Sequence, residues 1–184
     1  YNGVERESLC LRRANIERPE HTAGKGKDLP RVMEIYDYSR AFMRTNGNVT
    51  QWIGGYPSEA LIRQEIEDGH SFVCMDGQGE ILGTFCFILG EDPTYQHIYE
   101  GNWLNDEPYG VIHRLATNGK RKGVSDACLN WCFEQWGNIR VDTHQDNKVM
   151  QHILTKYGFQ RCGIIYVKNG TERIAYQKKL IKQL

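Results

Sequence analysis

The spacing of apolar residues along the chain changes several times between the two-residue period of a strand and the longer period of a helix. Apolar or alternating runs predict seven strands, at residues 8–13, 71–75, 81–89, 109–117, 139–143, 159–166 and 173–178. Apolar positions three and four residues apart predict four helices, which begin at Asp28, after Ser58, at Val124 and at Asn147. The order is one strand, two helices, three strands, then helix, strand, helix and two strands. No repeat or linker interrupts it, so we expect one mixed α/β domain over residues 1–184.

The run at 81–89 indicates how the sheet is covered. Both of its faces are mostly apolar, with Phe85 and Phe87 on one face and Leu82 and Ile88 on the other. A strand of this kind lies inside a sheet that is covered on both sides. The glycine-containing turn at 76–79 predicts a hairpin with the preceding strand. We therefore expect a central, twisted, mixed sheet of about seven strands with helices on both faces.

Composition and charge exclude several classes of protein. The 184 residues include 23 Lys and Arg and 23 Asp and Glu, so the net charge gives no general attraction to nucleic acid. No apolar run approaches the roughly 20 residues of a membrane span, and no secretory segment is recognisable. We therefore expect a cytoplasmic protein without nucleic-acid or membrane partners. The six cysteines are scattered through apolar segments without zinc-ligand spacing, so we interpret them as core thiols and predict no metal site.

The segment from Leu115 to Ala127 carries the most recognisable chemistry. A predicted strand runs through a basic, glycine-containing turn directly into a helix. Backbone N–H groups and the positive end of that helix would meet at the turn and suit a phosphate group. An ordinary strand-to-helix turn with solvated lysines explains the spacing equally well, because the turn follows neither the Walker pattern nor the dinucleotide pattern.

This segment resembles the acetyl-CoA signature of the GCN-related N-acetyltransferase (GNAT) superfamily, which is Gln/Arg-x-x-Gly-x-Gly/Ala after a strand. The corresponding residues are Lys120-Arg121-Lys122-Gly123-Val124-Ser125, in which Gly123 matches and Lys120 and Ser125 depart conservatively. Further similarity lies in the segments at 142–147, 156–159 and 173–176. The resemblance covers residues 8–178 and implies a single GNAT-like domain that uses acetyl-CoA.

In this superfamily the fourth and fifth strands separate, and the pantetheine arm of the cofactor enters between them. The resemblance implies that Leu115, Ala116 and Thr117 pair through their main chain with pantetheine. One N–H there would also hold the developing oxyanion, an effect of about 3 kcal/mol. The pyrophosphate would be bound by Lys120, Arg121, Lys122, Gly123, Val124, Ser125 and Asp126. Asn147 has two alternatives, contact with the cofactor and capping of the following helix.

His113 is the predicted general base. Strand alternation places it on one face with Val111, Leu115 and Thr117, and in the superfamily that face lines the acceptor site. Histidine titrates near neutral pH, as removal of a proton from an amine requires. A hydrogen-bonded core histidine is the alternative. Arg114 is expected to point to the other face and to pair with a carboxylate.

The remaining candidate groups are less specific. His144, beyond the fifth strand, is the second candidate base, with an ordinary surface loop position as its alternative. The general acid of the superfamily is often a tyrosine four residues before Gly-Phe, where this chain has Leu154. Tyr157 either acts as the general acid in place of that tyrosine or packs in the core. We therefore predict no general acid.

The acceptor pocket is expected between the first two helices, their loop and the strand ends. Trp52, Tyr56 and Trp103 lie in irregular segments with polar neighbours and are candidate substrate contacts, unless they only pin loops to the core. The resemblance implies an N-acetyltransferase that acts on a primary amine of a small molecule by direct transfer in a ternary complex. A catalytically silent acyl-CoA-binding module and a binder of another nucleotide are the alternatives. Exposed strand edges would also allow two copies of the chain to form a homodimer.

Overall fold

The computed structural model describes residues 8–16 and 28–181, and this part of the chain has the predicted order of elements. The strands are β1 (Cys10–Arg13), β2 (Ser71–Met75), β3 (Ile81–Leu89), β4 (Gly110–Thr117), β5 (Asn138–Thr143), β6 (Gln160–Tyr166) and β7 (Glu172–Lys179). The helices are α1 (Asp28–Thr45), α2 (Glu59–Glu67), α3 (Val124–Gln135) and α4 (Lys148–Tyr157). A short 3-10 helix at Pro93–Tyr95 follows β3 and is not predicted from the sequence.

The strands form one seven-stranded mixed sheet in the order β1-β2-β3-β4-β5-β7-β6, which confirms the predicted fold class. Neighbouring strands are antiparallel except β4 and β5, which run parallel. These two strands pair only through Gly110 with Ile139 and Val111 with Arg140, and they separate beyond that point. Within the described residues, the end of β4 therefore has no strand partner on its β5 side.

Apolar side chains pack against both faces of the sheet, as the pattern of β3 predicts. One cluster joins the sheet to α3 and α4 through residues such as Phe85, Leu129 and Leu154. A second cluster joins the opposite face to α1 and α2 through Val32 and Ile62. A third, smaller cluster surrounds the 3-10 helix. We call the two faces of the sheet the α3/α4 side and the α1/α2 side.

A β-bulge in β4 changes the side to which its residues point. Arg114 has a φ of +53°, and the register between β3 and β4 shifts at the same place. Because a bulge adds one residue to a strand, the alternation of side chains is displaced beyond it. Val111 packs around the 3-10 helix, whereas Leu115 packs on the α3/α4 side. The prediction that Val111, His113, Leu115 and Thr117 share one face is therefore wrong.

The bulge also redirects Arg114. Its guanidinium forms an ion pair with Glu65 of α2 and donates to the hydroxyl of Tyr56 at 2.7 Å. The expected carboxylate partner is confirmed, but the expectation that Arg114 points away from His113 is wrong. Both side chains reach the α1/α2 side, where His113 contacts Asp92 in the loop after β3.

The cysteines follow the core-thiol interpretation with one exception. Five are free and buried, namely Cys74, Cys86, Cys128, Cys132 and Cys162. Cys10 is free but exposed, because it lies on the edge strand β1. Within residues 8–16 and 28–181, no helix has the length and apolar character needed to span a membrane.

Candidate active site

A cavity of about 620 Å³ lies where β4 and β5 separate, and it reaches both sides of the sheet. On the α3/α4 side its walls are apolar and consist of Ile112, Leu115, Leu129, Val141, Met150 and Leu154. On the α1/α2 side its walls are mostly polar and include Trp52, Tyr56, Asp92, His113, Arg114, Asp142 and Arg173. We call these the apolar half and the polar half. The arrangement suits two different ligands that meet in the gap between the strands.

The loop from β4 ends at a helix N-terminus that no side chain of the described residues caps. Gly123 occupies the N-cap of α3 with a φ of +86°, a left-handed conformation that favours glycine. By contrast, the side chains of Ser58 and Asn147 cap α2 and α4. The first N–H groups of α3 lack an acceptor within the helix, so this end suits an anionic group.

The side chains of this loop differ in their surroundings. Lys120 pairs with Glu80 of the β2–β3 hairpin, with 2.6 Å between Nζ and Oε1. Gly119 comes so close to α1 that a Cβ there would collide with the hydroxyl of Tyr38, a neighbour of the loop that sequence analysis missed. Of the remaining predicted phosphate-binding side chains, Lys122 and Asp126 are exposed, Arg121 and Ser125 are half-buried, and Val124 is buried.

His113 lies beside a carboxylate in the polar half. Its Nε2 is 3.3 Å from Oδ2 of Asp92. Oδ1 of Asp92 accepts hydrogen bonds from the N–H and the hydroxyl of Thr94, at 2.9 and 2.7 Å. Burial raises the pKa of Asp92, but the contacts with His113 and Thr94 outweigh burial and hold this pKa at about 2. Because a carboxylate only accepts hydrogen bonds, it selects the tautomer of the neutral imidazole that carries its proton on Nε2 and a free lone pair on Nδ1.

We expect Asp92→Asn to lower the free energy of unfolding by about 2 kcal/mol at pH 7 and by about half as much at pH 3. The pKa of Asp92 is about 2 in the folded protein and 3.8 ordinarily. Its carboxylate therefore stabilises the fold fully above about pH 5, and this contribution is lost as the pH falls toward 2. Urea titrations at both pH values measure the effect, with the exposed neighbour Glu91→Gln as control. Equal losses at the two pH values would contradict the expectation.

His144 also lines the cavity, but both of its ring nitrogens are engaged. Nδ1 accepts the N–H of Asp146 at 3.0 Å, and Nε2 is 3.1 Å from the hydroxyl oxygen of Thr50. Burial, and then the charge of Arg173, lower the pKa of His144. The neutral ring therefore carries its proton on Nε2 and donates a hydrogen bond to the hydroxyl oxygen of Thr50. This geometry ties the α1–α2 loop to the end of β5 and gives the base role of His144 no support.

Comparison with known proteins decides the family. No protein-family model matches the chain, and no curated protein matches it. A solved acetyltransferase of the GNAT family from Streptococcus agalactiae is 30% identical, with 95% of this chain and 96% of that chain covered and a TM-score of 0.80. The chain belongs to the GNAT family. Two further GNAT-family acetyltransferases share the fold. The one from Listeria monocytogenes is 20% identical, with 94% of this chain and 95% of that chain covered and a TM-score of 0.65. The one from Bacillus cereus is 17% identical, with 95% of this chain and 99% of that chain covered and a TM-score of 0.60.

Acetyl-CoA is the acyl donor of the GNAT family, and the apolar half fits this cofactor. The free side of β4 offers main-chain groups to an extended amide chain, and the N-terminus of α3 lies at the end of the same strand. Thr143 of β5 is 1% exposed and lines the cavity, yet its Oγ1 has no hydrogen-bond partner within the described residues. A buried hydroxyl in this state is costly, so we expect it to meet a polar group of a ligand.

We expect the isosteric replacement Thr143→Val to have opposite effects on stability and binding. Removal of the unpartnered hydroxyl should raise the free energy of unfolding by about 1 kcal/mol, and loss of its contact should weaken acetyl-CoA binding about 5- to 10-fold. Urea titration and calorimetry measure the two quantities. Thr155→Val, on the exposed face of α4, is the matched control. A more stable variant with undiminished affinity would show that Thr143 does not face the cofactor.

Asn147 caps the N-terminus of α4, which is one of the two roles considered for it from the sequence. Its Oδ1 accepts the N–H of Met150 at 3.0 Å, and its Nδ2 donates to Oε1 of Gln51 at 3.1 Å. The same oxygen of Gln51 accepts a hydrogen bond from Asn48 at 2.7 Å. These three buried amides join the α1–α2 loop to the start of α4. Contact between Asn147 and the cofactor stays a prediction.

Two of the three predicted aromatic contacts line the cavity. Trp52 packs edge-on against Tyr36, with 5.6 Å between ring centroids, and Tyr56 is 40% exposed. Trp103 is not among the cavity residues. The guanidinium carbon of Arg140 lies 4.1 Å from the centroid of the Trp103 ring. This position fits the alternative interpretation, in which Trp103 holds its loop against the core.

The positions of Leu154 and Tyr157 bear on the missing general acid. Leu154 is fully buried and forms part of the apolar half. Tyr157 is not among the cavity residues: it donates to Asn130 of α3 and stacks on Phe133 at 5.8 Å. Tyr157 therefore packs between α3 and α4 and does not replace the tyrosine of the family.

Proposed function

We propose that this chain transfers the acetyl group of acetyl-CoA to the primary amine of a small molecule, by direct transfer while both substrates are bound. The observation that carries the proposal is the cavity through the β4–β5 gap, which joins an apolar half to a polar half that contains His113 and Asp92. When bound, acetyl-CoA supplies the acetyl group as a thioester. The polar half would hold the amine.

The cofactor would be held largely by the main chain. Leu115, Ala116 and Thr117 lie on the part of β4 that has no strand partner on its β5 side in the described chain, so their peptide groups can pair with an extended ligand. The uncapped N-terminus of α3 and the basic loop before it would bind the phosphates. Lys120 would contribute charge from the loop although it also pairs with Glu80.

His113 would act as the general base. An ammonium group must lose a proton before its nitrogen can attack a carbonyl carbon, and Nδ1 of His113 would accept that proton. Asp92, in contact with Nε2, would hold the ring in this orientation and stabilise the imidazolium that forms. Asp92 is therefore a positioning residue in this proposal.

The surroundings of the thiols support direct transfer without an acetylated enzyme. Among the described residues, no cysteine lines the cavity. Cys86 is paired in register with His113 on the neighbouring strand, but it is fully buried. Burial raises the pKa of the Cys86 thiol to about 12, so it stays protonated and is a poor nucleophile at neutral pH.

The loop between α1 and α2 supports a small acceptor. Its Thr50 contacts His144, and its Gln51 accepts a hydrogen bond from Asn147. Arg44 of α1 donates to the carbonyl of Trp52 at 2.9 Å and fixes the loop from the other end. A loop held in this way encloses the polar half, as is typical of pockets for small molecules.

A catalytically silent acyl-CoA-binding module is the second candidate. Leu154 at the position of the family's acid favours it, because no tyrosine takes over that position in the described chain.

Amine-dependent release of free thiol from acetyl-CoA separates these candidates. The assay uses a panel of small primary amines, with mass spectrometry of the products and a reaction without amine as control. Saturable release with an acetylated product is the result that we expect. Binding of acetyl-CoA without a product from any amine would favour the silent module, and absence of binding would overturn both.

A further inference from the structure

Arg173 on β7 is a half-buried cation of the polar half that forms no ion pair with any residue the structure describes. Its Nη1 donates to the hydroxyl of Thr171 at 3.1 Å and to the carbonyl of Glu172 at 2.8 Å. None of the ion pairs within residues 8–16 and 28–181 includes Arg173. Burial lowers the pKa of Arg173, and the nearby charge of Asp142 opposes this effect. A guanidinium in such surroundings suits a ligand that brings a negative charge.

Two other arginines of the sheet have partners inside the protein, namely Arg114, which also lines the cavity, and Arg140 of β5, which does not. Arg114 forms its ion pair with Glu65 and donates to Tyr56. Arg140 lies between the rings of Trp103 and Tyr109, at 4.1 and 3.9 Å from their centroids, and it donates to a backbone carbonyl. Within the described residues, Arg173 thus differs from Arg114 in having no ion pair, and it differs from Arg140 in having no aromatic ring over its guanidinium. Lys168, on the exposed turn before it, adds positive charge at the same wall of the cavity.

Negative charge lies on the β4 and β5 walls of the polar half, and its β5 member, Asp142, is close enough to Arg173 to act on the pKa of that side chain. Asp92 contacts His113 at the β4 side, and Asp142 of β5 accepts a hydrogen bond from Tyr95 at 2.7 Å. In the sheet β5 lies between β4 and β7, and β4 has already separated from β5 at His113, so the backbones at His113 and Arg173 are more than two strand spacings apart, that is, more than roughly 10 Å. Both side chains extend into the cavity and shorten this span. A ligand between them needs a cationic end at β4 and an anionic end at β7.

We propose that the acceptor is an amino acid, or a close relative in which an amine and a carboxylate are a few atoms apart. Its amine would lie beside His113 and Asp92, and its carboxylate would bind the guanidinium of Arg173. Arginine binds carboxylates through two parallel N–H groups, which fixes orientation as well as position. This inference rests on the proposed function and names the substrate class of the same site.

Matched pairs of acceptors test it directly. L-leucine, L-phenylalanine and L-lysine are compared with the amines that lack only the carboxylate, namely 3-methylbutylamine, 2-phenylethylamine and 1,5-diaminopentane. Thiol release from acetyl-CoA gives kcat/KM for each. We expect at least one amino acid to exceed its matched amine by about tenfold or more, because a site built for an anionic group discriminates against ligands without it.

Variants at Arg173 assign the preference to this side chain. Arg173→Gln should reduce the ratio of kcat/KM between amino acid and matched amine by about tenfold or more, mainly through KM for the amino acid, and Arg173→Lys should restore part of it. Arg161→Gln, which removes an exposed positive charge from β6, is the control for net charge. Amines acetylated as well as amino acids, or a ratio unaffected by Arg173→Gln, would overturn this inference and leave acetyl transfer intact. Absence of transfer to every member of the panel would overturn the proposed function with it.

Discussion

Replacement of His113 by alanine is expected to lower kcat about 100- to 1,000-fold at pH 7.5 and to leave the Kd for acetyl-CoA within about twofold of the original value. The imidazole lies in the polar half, in contact with Asp92, whereas the cofactor is assigned to the apolar half. A loss confined to kcat therefore follows from removal of a base and not from damage to the cofactor site. Steady-state thiol release and calorimetry measure the two constants.

The exposed histidine of α4 provides the control for this experiment. His152→Ala removes an imidazole from the solvent face of the helix and should change neither constant. Unchanged turnover of His113→Ala at neutral pH, across all amines that are substrates, would exclude the base role.

The second large effect is expected from blocking the gap between β4 and β5. Leu115→Trp should weaken acetyl-CoA binding by at least about 50-fold, because an indole at this position fills the apolar half through which the cofactor would pass. Leu115 is only half-buried, so the larger ring can enter the cavity without displacing the core. Calorimetric titration with acetyl-CoA measures the loss.

Two further variants make the blocking experiment specific. Leu115→Met conserves volume and should bind acetyl-CoA normally, while Met150→Trp should block the same space from α4. Thermal unfolding shows whether each variant is folded, since overpacking costs about 1–3 kcal/mol. Full affinity in both tryptophan variants would place the cofactor outside the gap.

Local sequence signals were sufficient for most of the fold. The cap at Ser58 begins α2, and the turn after β2 closes a hairpin in which Asp76 accepts two backbone N–H groups. Gly123 marks the end of the basic loop because the chain needs a left-handed residue there. Each of these features depends on residues only a few positions apart, so a sequence pattern can report it.

Features that depend on contacts distant in sequence were not predictable in the same way. The bulge at Arg114 has no local signal, and it displaced every face assignment beyond it. Asp92 lies in a loop, and its contact with His113 arises only because β3 and β4 pair. Trp52 and Trp103 are similar as loop aromatics, but only Trp52 lines the cavity, because Trp103 covers Arg140.

A calorimetric titration of the purified protein with acetyl-CoA, with ATP as the control ligand, tests the central claim most directly. The cavity through the β4–β5 gap, with its apolar half and the uncapped N-terminus of α3, predicts saturable binding of one acetyl-CoA per chain and no binding of ATP at the same concentration. No binding of acetyl-CoA, or binding of ATP with equal affinity, would contradict the assignment of this cavity to the acyl donor.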